Sequence, residues 1–130
     1  MYVLDTNTVI YYFKGMGQVA EHMAATNPSE LAIPTLVLFE LYVGIAKSSN
    51  GEKRRQQLGS LLGYIAVLPF TQAMAETAAT VRSRLEQRGQ PIGPLDGLIA
   101  GTALAENATL VTHNTREFAR VEGLSLVDWY

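Results

Sequence analysis

The chain alternates short apolar runs with longer amphipathic stretches. The short runs are rich in Leu, Val and Ile and are bounded by Pro, Asn, Asp or Thr, a pattern typical of buried β-strands. They occupy residues 1–4, 31–33, 66–70, 109–112 and 124–127, the last as an edge strand. Helical patterns cover residues 9–13, 17–26, 36–46, 52–65, 71–87 and 95–105. Strands that alternate with helices predict an α/β fold with a central, mostly parallel sheet flanked by helices.

Length and composition limit the size of the fold and its setting. The chain has 130 residues, 48% of them hydrophobic, and is expected to form a single domain over residues 1–130 with a core of its own. No apolar stretch is long enough to cross a bilayer, and Asp5 interrupts the apolar N-terminus, which therefore differs from a signal peptide. We expect a soluble, cytoplasmic protein without a membrane contact.

Cysteine, histidine and charge restrict the chemistry further. The sequence has no cysteine, which excludes a disulfide framework and a thiolate zinc site. Its two histidines, His22 and His113, lie far apart, so a histidine-based metal site is not expected. The net charge is −2 at pH 7, and any nucleic-acid binding must therefore depend on a local basic surface.

The first strand ends on a carboxylate. Asp5 follows the apolar residues 1–4, and small polar residues that include Thr6 and Thr8 lead into the next apolar stretch. This is a strand, a turn and a helix, with Thr6 or Thr8 available as the helix cap. Ligands of open α/β sheets bind at the carboxyl ends of the strands, which makes Asp5 a candidate functional residue. The alternative is that Asp5 only stabilises the turn.

Two further carboxylates lie on apolar helix faces. Glu40 shares a face with Val37 and Leu41, where a carboxylate is costly unless it is paired or binds a cation. Asp96 shares a face with Ile99, just after a proline that suits a first helical position. An acidic residue in the first turn also has an ordinary explanation, because it favours the helix dipole.

These separated carboxylates point to a bound cation. Glu117 adds a fourth, and it follows the fourth predicted strand together with Asn114. Two like charges about 4 Å apart repel by roughly 1 to 4 kcal/mol, so such a cluster needs protons or a cation. Oxygen ligands without His or Cys select a hard ion such as Mg²⁺ or Mn²⁺. Such an ion and its bound waters suit hydrolysis of a phosphodiester.

The motifs that carry these residues resemble the PIN domain, specifically VapC-type ribonuclease toxins. They are Leu-Asp-Thr-Asn at residues 4–7, the helical Glu40, Pro-Leu-Asp at residues 94–96 and Thr-His-Asn-Thr-Arg-Glu-Phe at residues 112–118. The resemblance covers the whole chain. It implies a three-layer domain with a parallel sheet of about five strands and Mg²⁺-dependent endoribonuclease activity, in which Mn²⁺ can substitute. It also implies a structured RNA loop as substrate, especially a tRNA anticodon stem-loop, and a VapB-type antitoxin as partner.

Carried over residue by residue, the resemblance assigns roles to the acidic residues. Asp5, Glu40 and Asp96 match the acidic core, with Asp5 and Asp96 holding the metal. Glu40 would bind through water or a second metal, or act as the base. The fourth acidic position of many PIN domains falls at Asn114, a departure for which Glu117 is the candidate replacement. Hydrogen bonds around these groups are expected from Thr6, Thr112 and Asn114.

RNA, an antitoxin and a second copy of the chain would each need a surface. A basic rim for RNA is expected from Arg82, Arg84, Arg88 and Arg116, whereas the basic cluster at residues 53–55 is interpreted as a solvated helix face. His113 is interpreted as a loop residue. The candidate antitoxin surface consists of Ile10, Tyr11, Phe13, Leu58 and Leu62, although the same residues could belong to the core. A homodimer is expected because twofold symmetry is the commonest assembly.

Two other functions remain open at this point. Asp5 could be the nucleophile of an aspartyl-phosphate phosphatase, in which a second Asp follows two residues later. Asn7 occupies that place here, which counts against a phosphatase. Alternatively, the chain could be a catalytically silent PIN-like binding module, although its three carboxylates are intact.

Overall fold

The computed structural model describes residues 1–130 and contains one five-stranded sheet. Every neighbouring pair of strands is parallel, and the order is β3-β2-β1-β4-β5. The strands are β1 (Tyr2–Leu4), β2 (Leu31–Pro34), β3 (Ala66–Leu68), β4 (Thr109–Val111) and β5 (Ser125–Val127). The α/β fold, the five strands and the edge position of the last strand are confirmed.

Seven α-helices connect and flank the strands. They are α1 (Thr6–Lys14), α2 (Val19–Ala24), α3 (Thr35–Lys47), α4 (Gly51–Leu62), α5 (Gln72–Gln87), α6 (Pro94–Ala105) and α7 (Thr115–Phe118), with a 3-10 turn at Pro28–Glu30. The sequence did not predict α7, because four residues are too few to show a helical period. No helix combines the length and the apolar character that a membrane span requires.

The central strands are buried on both sides, which explains why their sequences are continuous apolar runs rather than alternating ones. Val3, Leu4, Ile33, Leu110 and Val111 are all 0% exposed. Exposure increases at one edge, where β3 is mostly open to solvent. The sheet is therefore most deeply buried at β1 and its neighbours β2 and β4, and Asp5 directly follows β1.

The direction of the strand order changes beside β1. The chain passes from β1 to β2 on one side, and β4 pairs with the other side of β1. A crevice outside the carboxyl ends of the strands is expected at such a switch point. Asp5 leaves β1 there, and its backbone N–H donates a hydrogen bond to the Val111 carbonyl at 3.2 Å. The hydroxyl of Thr8 donates to the same carbonyl at 3.0 Å.

The close contact between α5 and α6 depends on small residues. A Cβ placed on Gly101 would lie 2.5 Å from the Ala78 Cβ and 2.6 Å from the Ala78 Cα. Only glycine at position 101 therefore allows the two helices to approach this far. The contact fixes α6, which carries Asp96 in its first turn.

The last residues of the chain pack against α1 and the end of β4. Tyr130 stacks on His113 with ring centroids 4.2 Å apart and meets Tyr11 edge-on at 4.9 Å. His113 Nδ1 lies 2.9 Å from Asp128 Oδ2. The loop residue His113 is therefore held in place by the C-terminal segment.

Candidate active site

Asp5 is both a helix cap and an inward-facing acid. Its Oδ1 accepts a hydrogen bond from the Thr8 backbone N–H at 2.8 Å, and Asp5 is the N-cap of α1. The expectation that Thr6 or Thr8 caps this helix is therefore wrong, because the cap lies one residue before the first helical residue. Asp5 is only 6% exposed. Its second oxygen, Oδ2, forms no hydrogen bond within the protein, so Asp5 can still act as a ligand.

Glu40 meets the beginning of α1. The Thr6 hydroxyl donates a hydrogen bond to Glu40 Oε1 at 2.5 Å. Glu40 lies in the middle of α3 and is half-buried. The hydrogen bond accounts for one carboxylate oxygen and leaves the negative charge without a cationic partner.

Asp96 lies in the first turn of α6, where it is half-buried. Burial raises its pKa to about 6, and the negative charges of Glu117, Glu40 and Asp5 add to this increase, in that order. The three charges come from α7, α3 and the end of β1. The charges of Glu117, Glu40 and Asp5, from three different elements, therefore all act on Asp96.

Glu117 is held by two hydrogen bonds. Its Oε2 accepts from Asn114 Nδ2 at 2.9 Å, and its Oε1 accepts from the Gly93 backbone N–H at 3.3 Å. The Asn114 backbone N–H donates in turn to Thr112 Oγ1 at 3.0 Å. Thus the side-chain amide of Asn114 orients Glu117.

The four carboxylates have no basic partner. The ion pairs of the chain join the N-terminal amine to Glu30, Arg82 to Glu86 and His113 to Asp128. Oxygen donors with uncompensated charge fit a hard divalent cation. No three acidic side chains are close enough together to enclose an ion directly. A cation at these carboxylates would therefore have to be held partly through water, as is usual for Mg²⁺.

The predicted RNA-binding arginines fall into two groups. Arg82 lines a cavity of about 620 Å³ together with Gly93 and Pro94, next to the turn that holds Asp96, and pairs with Glu86. Arg116 is exposed on α7, one residue before Glu117. Arg84 and Arg88 instead line a different cavity, together with Leu104 and Glu122. Arg88 also donates to the Arg120 carbonyl at 2.6 Å.

A second cleft lies beside Glu40 and contains two cations that the sequence interpretation overlooked. It has a volume of about 190 Å³, and Lys14, Arg54 and Glu40 all line it. Arg54 belongs to the cluster that was interpreted as a solvated helix face, whereas the structure places it half-buried in this cleft. No local pattern reveals this, because Lys14, Glu40 and Arg54 come from three different helices.

The candidate antitoxin surface is only partly assembled. Ile10 and Phe13 line the cleft beside Glu40. Tyr11 faces away from them, toward His113 and Tyr130. Leu58 is 1% exposed and belongs to the core, so its side chain is not available to a partner, and Leu62 is half-buried against the same core. Tyr11 and Leu58 therefore do not extend the cleft.

Comparison with known proteins identifies the family. The PIN-domain profile matches residues 2–124. The tRNA(fMet)-specific endonuclease VapC of Shigella flexneri is 34% identical over 98% of this chain and 97% of its own length. Ribonuclease VapC2 of Rickettsia felis is 35% identical over 99% and 98% of the two chains.

Solved structures agree with the sequence comparison. The VapBC2 structure from Rickettsia felis, bound to a DNA fragment from its promoter, superposes with a TM-score of 0.93 at 35% identity and covers 99% of this chain and 98% of that one. VapBC-1 from nontypeable Haemophilus influenzae superposes with a TM-score of 0.88 at 33% identity, over 98% and 97% of the two chains. The resemblance expected from the motifs is confirmed, and this chain belongs to the PIN-domain family and, within it, to the VapC ribonucleases.

Proposed function

We propose that this chain is a metal-dependent endoribonuclease that hydrolyses a phosphodiester in RNA and acts as the toxin of a VapBC pair. The observation that carries the proposal is the acidic cluster of Asp5, Glu40, Asp96 and Glu117 in a chain of the VapC family. None of these four carboxylates forms an ion pair with a basic side chain. Residues 1–130 form one catalytic domain in this proposal. An aspartyl-phosphate phosphatase would need a second Asp at position 7, where this chain has Asn7. No specific observation therefore supports the phosphatase alternative.

The metal in the proposal is Mg²⁺, for which Mn²⁺ can substitute. Asp5 and Asp96 would hold it, because Asp5 keeps one oxygen free and the charge of Asp96 is destabilised without a cation. Such an ion supplies positive charge at the scissile phosphate and lowers the pKa of bound water. Glu40, fixed by Thr6, would bind through water or accept the proton of the attacking water.

Glu117 and its neighbours complete the proposed site. Asn114 holds Glu117 with its side-chain amide, and the Thr112 hydroxyl holds the backbone of Asn114. This arrangement keeps the Glu117 charge close to Asp96. Loss of an orienting group of this kind commonly lowers metal affinity by about 10- to 100-fold. We expect an effect of about this size when Asn114 or Thr112 is replaced.

The proposed substrate is a tRNA anticodon stem-loop. Relatives from Shigella flexneri and Salmonella typhimurium are named tRNA(fMet)-specific endonucleases, which makes initiator tRNA the first substrate to test. Unpaired loop bases can be splayed out so that their phosphates enter a recessed site. Arg116 directly precedes Glu117 and Arg82 lines the cavity beside Gly93 and Pro94, so both are proposed as rim contacts, whereas Arg84 and Arg88 line a separate cavity. A tRNA substrate would place the protein in the cytoplasm.

The proposed partner is a VapB-type antitoxin, because several structural neighbours are VapBC complexes. Ile10, Phe13, Leu41 and Ile45 give the cleft beside Glu40 an apolar wall. An amphipathic antitoxin helix could bury its apolar side against this wall. An antitoxin arginine that reached the carboxylates from the cleft would compete with the metal.

A homodimer remains part of the proposal. Phe39, Tyr42 and Val43 are 57%, 41% and 37% exposed on one side of α3. Residues three and four apart share a helix face, so Phe39, Tyr42 and Val43 form one apolar stripe. Phe39 precedes Glu40 directly, and a second copy packed on this stripe would therefore bring two acidic sites near each other.

The test compares the protein with its Asp96→Asn variant. Sequencing of RNA 5′ ends after brief expression should show one dominant cut in an RNA loop, which the variant lacks. The purified protein should cleave the same RNA with Mg²⁺ and lose activity in excess chelator. Cleavage that persists in the variant or in chelator would refute the proposed site. Absence of cleavage in the unmodified protein would favour the silent binding module, and a trapped phospho-enzyme would favour the phosphatase.

A further inference from the structure

Lys14 and Arg54 face the same cleft as Glu40. Lys14 is the last residue of α1, Arg54 lies in the first turns of α4, and Glu40 lies in the middle of α3. All three side chains line one recess of about 190 Å³. Two positive charges therefore line the same recess as one member of the acidic cluster, although neither forms an ion pair with it.

Neither cation is neutralised by a carboxylate. The basic side chains that form ion pairs are Arg82 and His113, both of them elsewhere. Arg54 Nη1 donates to Gln57 Oε1 at 2.9 Å, a neutral partner. A lysine in the last turn of a helix is explained in part by the helix dipole. The dipole does not explain Arg54, which comes from another helix and is half-buried in the same recess.

We propose that Lys14 and Arg54 bind a backbone phosphate of the RNA that neighbours the scissile phosphate. The proposal rests on the nuclease function proposed above and extends it to the path of the substrate. The RNA must approach four negatively charged carboxylates. A metal held at Asp5 and Asp96 would offset this repulsion for the scissile phosphate but not for the phosphates on either side of it. A pair of cations beside Glu40 supplies this compensation. Lys14 and Arg54 are positioning residues, since phosphate contacts orient a nucleic acid without reading its sequence.

The position of the cleft favours RNA as the occupant of its charged side. A strand whose scissile phosphate lies at the acidic cluster can continue past Glu40. Beside Glu40 it meets Lys14 and Arg54. Arg82, which lines the cavity beside Gly93 and Pro94, already pairs with Glu86. The apolar wall of the same recess suits the antitoxin, so contact between the two cations and antitoxin carboxylates is the competing outcome.

The test uses Arg55 as a matched control. Arg54→Gln and Arg55→Gln remove the same charge from adjacent positions of α4, but Arg55 lies over the Tyr42 ring, 5.6 Å from its centroid, outside the cleft. Binding is measured with the cleavage-deficient Asp96→Asn chain and a labelled RNA hairpin that carries the anticodon stem-loop of initiator tRNA. The dissociation constant is determined across a range of salt concentrations.

We expect Arg54→Gln and Lys14→Gln each to weaken binding roughly tenfold at low salt. Each should also reduce the slope of log K against log salt by about 0.7, the value for one phosphate contact to a single strand. Arg55→Gln should leave the slope unchanged. In the active chain, both cleft variants should cut the same bond more slowly. Lys14 is exposed, so Lys14→Gln preserves the test if Arg54→Gln does not fold.

Equal affinities and equal slopes for the cleft variants and Arg55→Gln would overturn the proposal. If the cleft variants lose affinity only for the co-expressed antitoxin, the cations belong to that interface and the RNA assignment is wrong. Failure of the nuclease function is a different result, since it would show as absence of cleavage by the unmodified protein. RNA binding by the Asp96→Asn chain does not depend on that outcome.

Discussion

The hydroxyl of Thr6 donates a hydrogen bond of 2.5 Å to Glu40, which lies 34 residues later in the chain. This contact joins the first residue of α1 to the middle of α3. Asp5, the neighbour of Thr6, caps α1. The hydrogen bond therefore orients one proposed catalytic carboxylate, Glu40, from the residue next to another, Asp5.

Thr6→Ala should reduce cleavage by about tenfold, because a hydrogen bond to a charged group typically contributes about 1.5 kcal/mol or more. Thr6→Ser keeps the hydroxyl and should retain most of the activity. The measurement is single-turnover cleavage with saturating metal, accompanied by thermal unfolding. Equal loss of activity in both variants would point to the methyl group rather than to the hydrogen bond.

Asp96→Asn should stabilise the metal-free protein at neutral pH while abolishing cleavage. The raised pKa of Asp96, about 6, means that its charged form is disfavoured by burial and by Glu117, Glu40 and Asp5. Asparagine removes that charge. After allowance for solvent screening at a half-exposed group, we expect a gain of about 1 kcal/mol. Thermal unfolding in chelator at pH 7.5 measures the gain, and a lower melting temperature would contradict it.

The raised pKa of Asp96 also determines how the free energy of unfolding should depend on pH. The folded pKa of Asp96 lies above its unfolded value, so the folded state holds the proton more tightly between about pH 4 and pH 6. In this window the stability contribution of Asp96 falls as pH rises, and the full penalty is present above about pH 6. Mg²⁺ should offset it at pH 7.5. Denaturant titrations of the protein and of Asp96→Asn should therefore differ above pH 6 in chelator and converge near pH 4.

The contribution of Asp128 to stability should have the opposite pH dependence, because its pKa is lowered in the folded state. Partial burial works to raise its pKa, but hydrogen bonds from the Tyr130 backbone and from His113, together with the His113 charge, hold the pKa below its usual value. Its stabilising contribution is present above the unfolded pKa, about 3.9, and is lost as pH falls through the lower folded value. Asp128→Asn should therefore lower the melting temperature at pH 6 and have little effect near pH 3. An equal loss at both pH values would show that the charge is not involved.

Much of the fold could be predicted because its signals are local. Each strand is a short apolar run, and the acidic residues stand at a strand end or on an apolar helix face, as with Asp5 and Glu40. The family motifs then placed Asp96 and Asn114 in order along the chain. These features depend on neighbours within a few residues, which is the range over which sequence patterns carry information.

The remaining features depend on how separate helices pack. Arg54 and Arg55 are adjacent in sequence, yet the structure turns one toward Glu40 and the other toward Tyr42. Similarly, Arg82 and Arg84 lie on opposite sides of α5 and line different cavities. The cap at Asp5 was assigned to a threonine because Asp and Thr are both good caps, and only the observed backbone identifies which residue begins the helix.

The contact between Gly101 and Ala78 predicts a position where one methyl group disturbs the site from a distance. In Gly101→Ala the new Cβ would lie 2.5 Å from the Ala78 Cβ and 2.8 Å from the Ala78 backbone nitrogen. Because a backbone atom is involved, no side-chain rotation relieves the overlap, and α5 and α6 must separate. Overpacking of this kind typically costs about 1 to 3 kcal/mol. Movement of α6 would also displace Asp96, so cleavage should fall even at temperatures where the variant is folded.

The matched control is Gly59→Ala. Gly59 lies inside α4, and a Cβ placed there meets nothing within 4 Å. Alanine favours a helix over glycine by about 1 kcal/mol, so this variant should be slightly more stable and fully active. Thermal unfolding and single-turnover cleavage of both variants separate the two effects. Normal stability in Gly101→Ala would mean that α5 and α6 can part without cost. If stability falls but cleavage is normal below the melting temperature, the position of Asp96 does not depend on the α5–α6 contact.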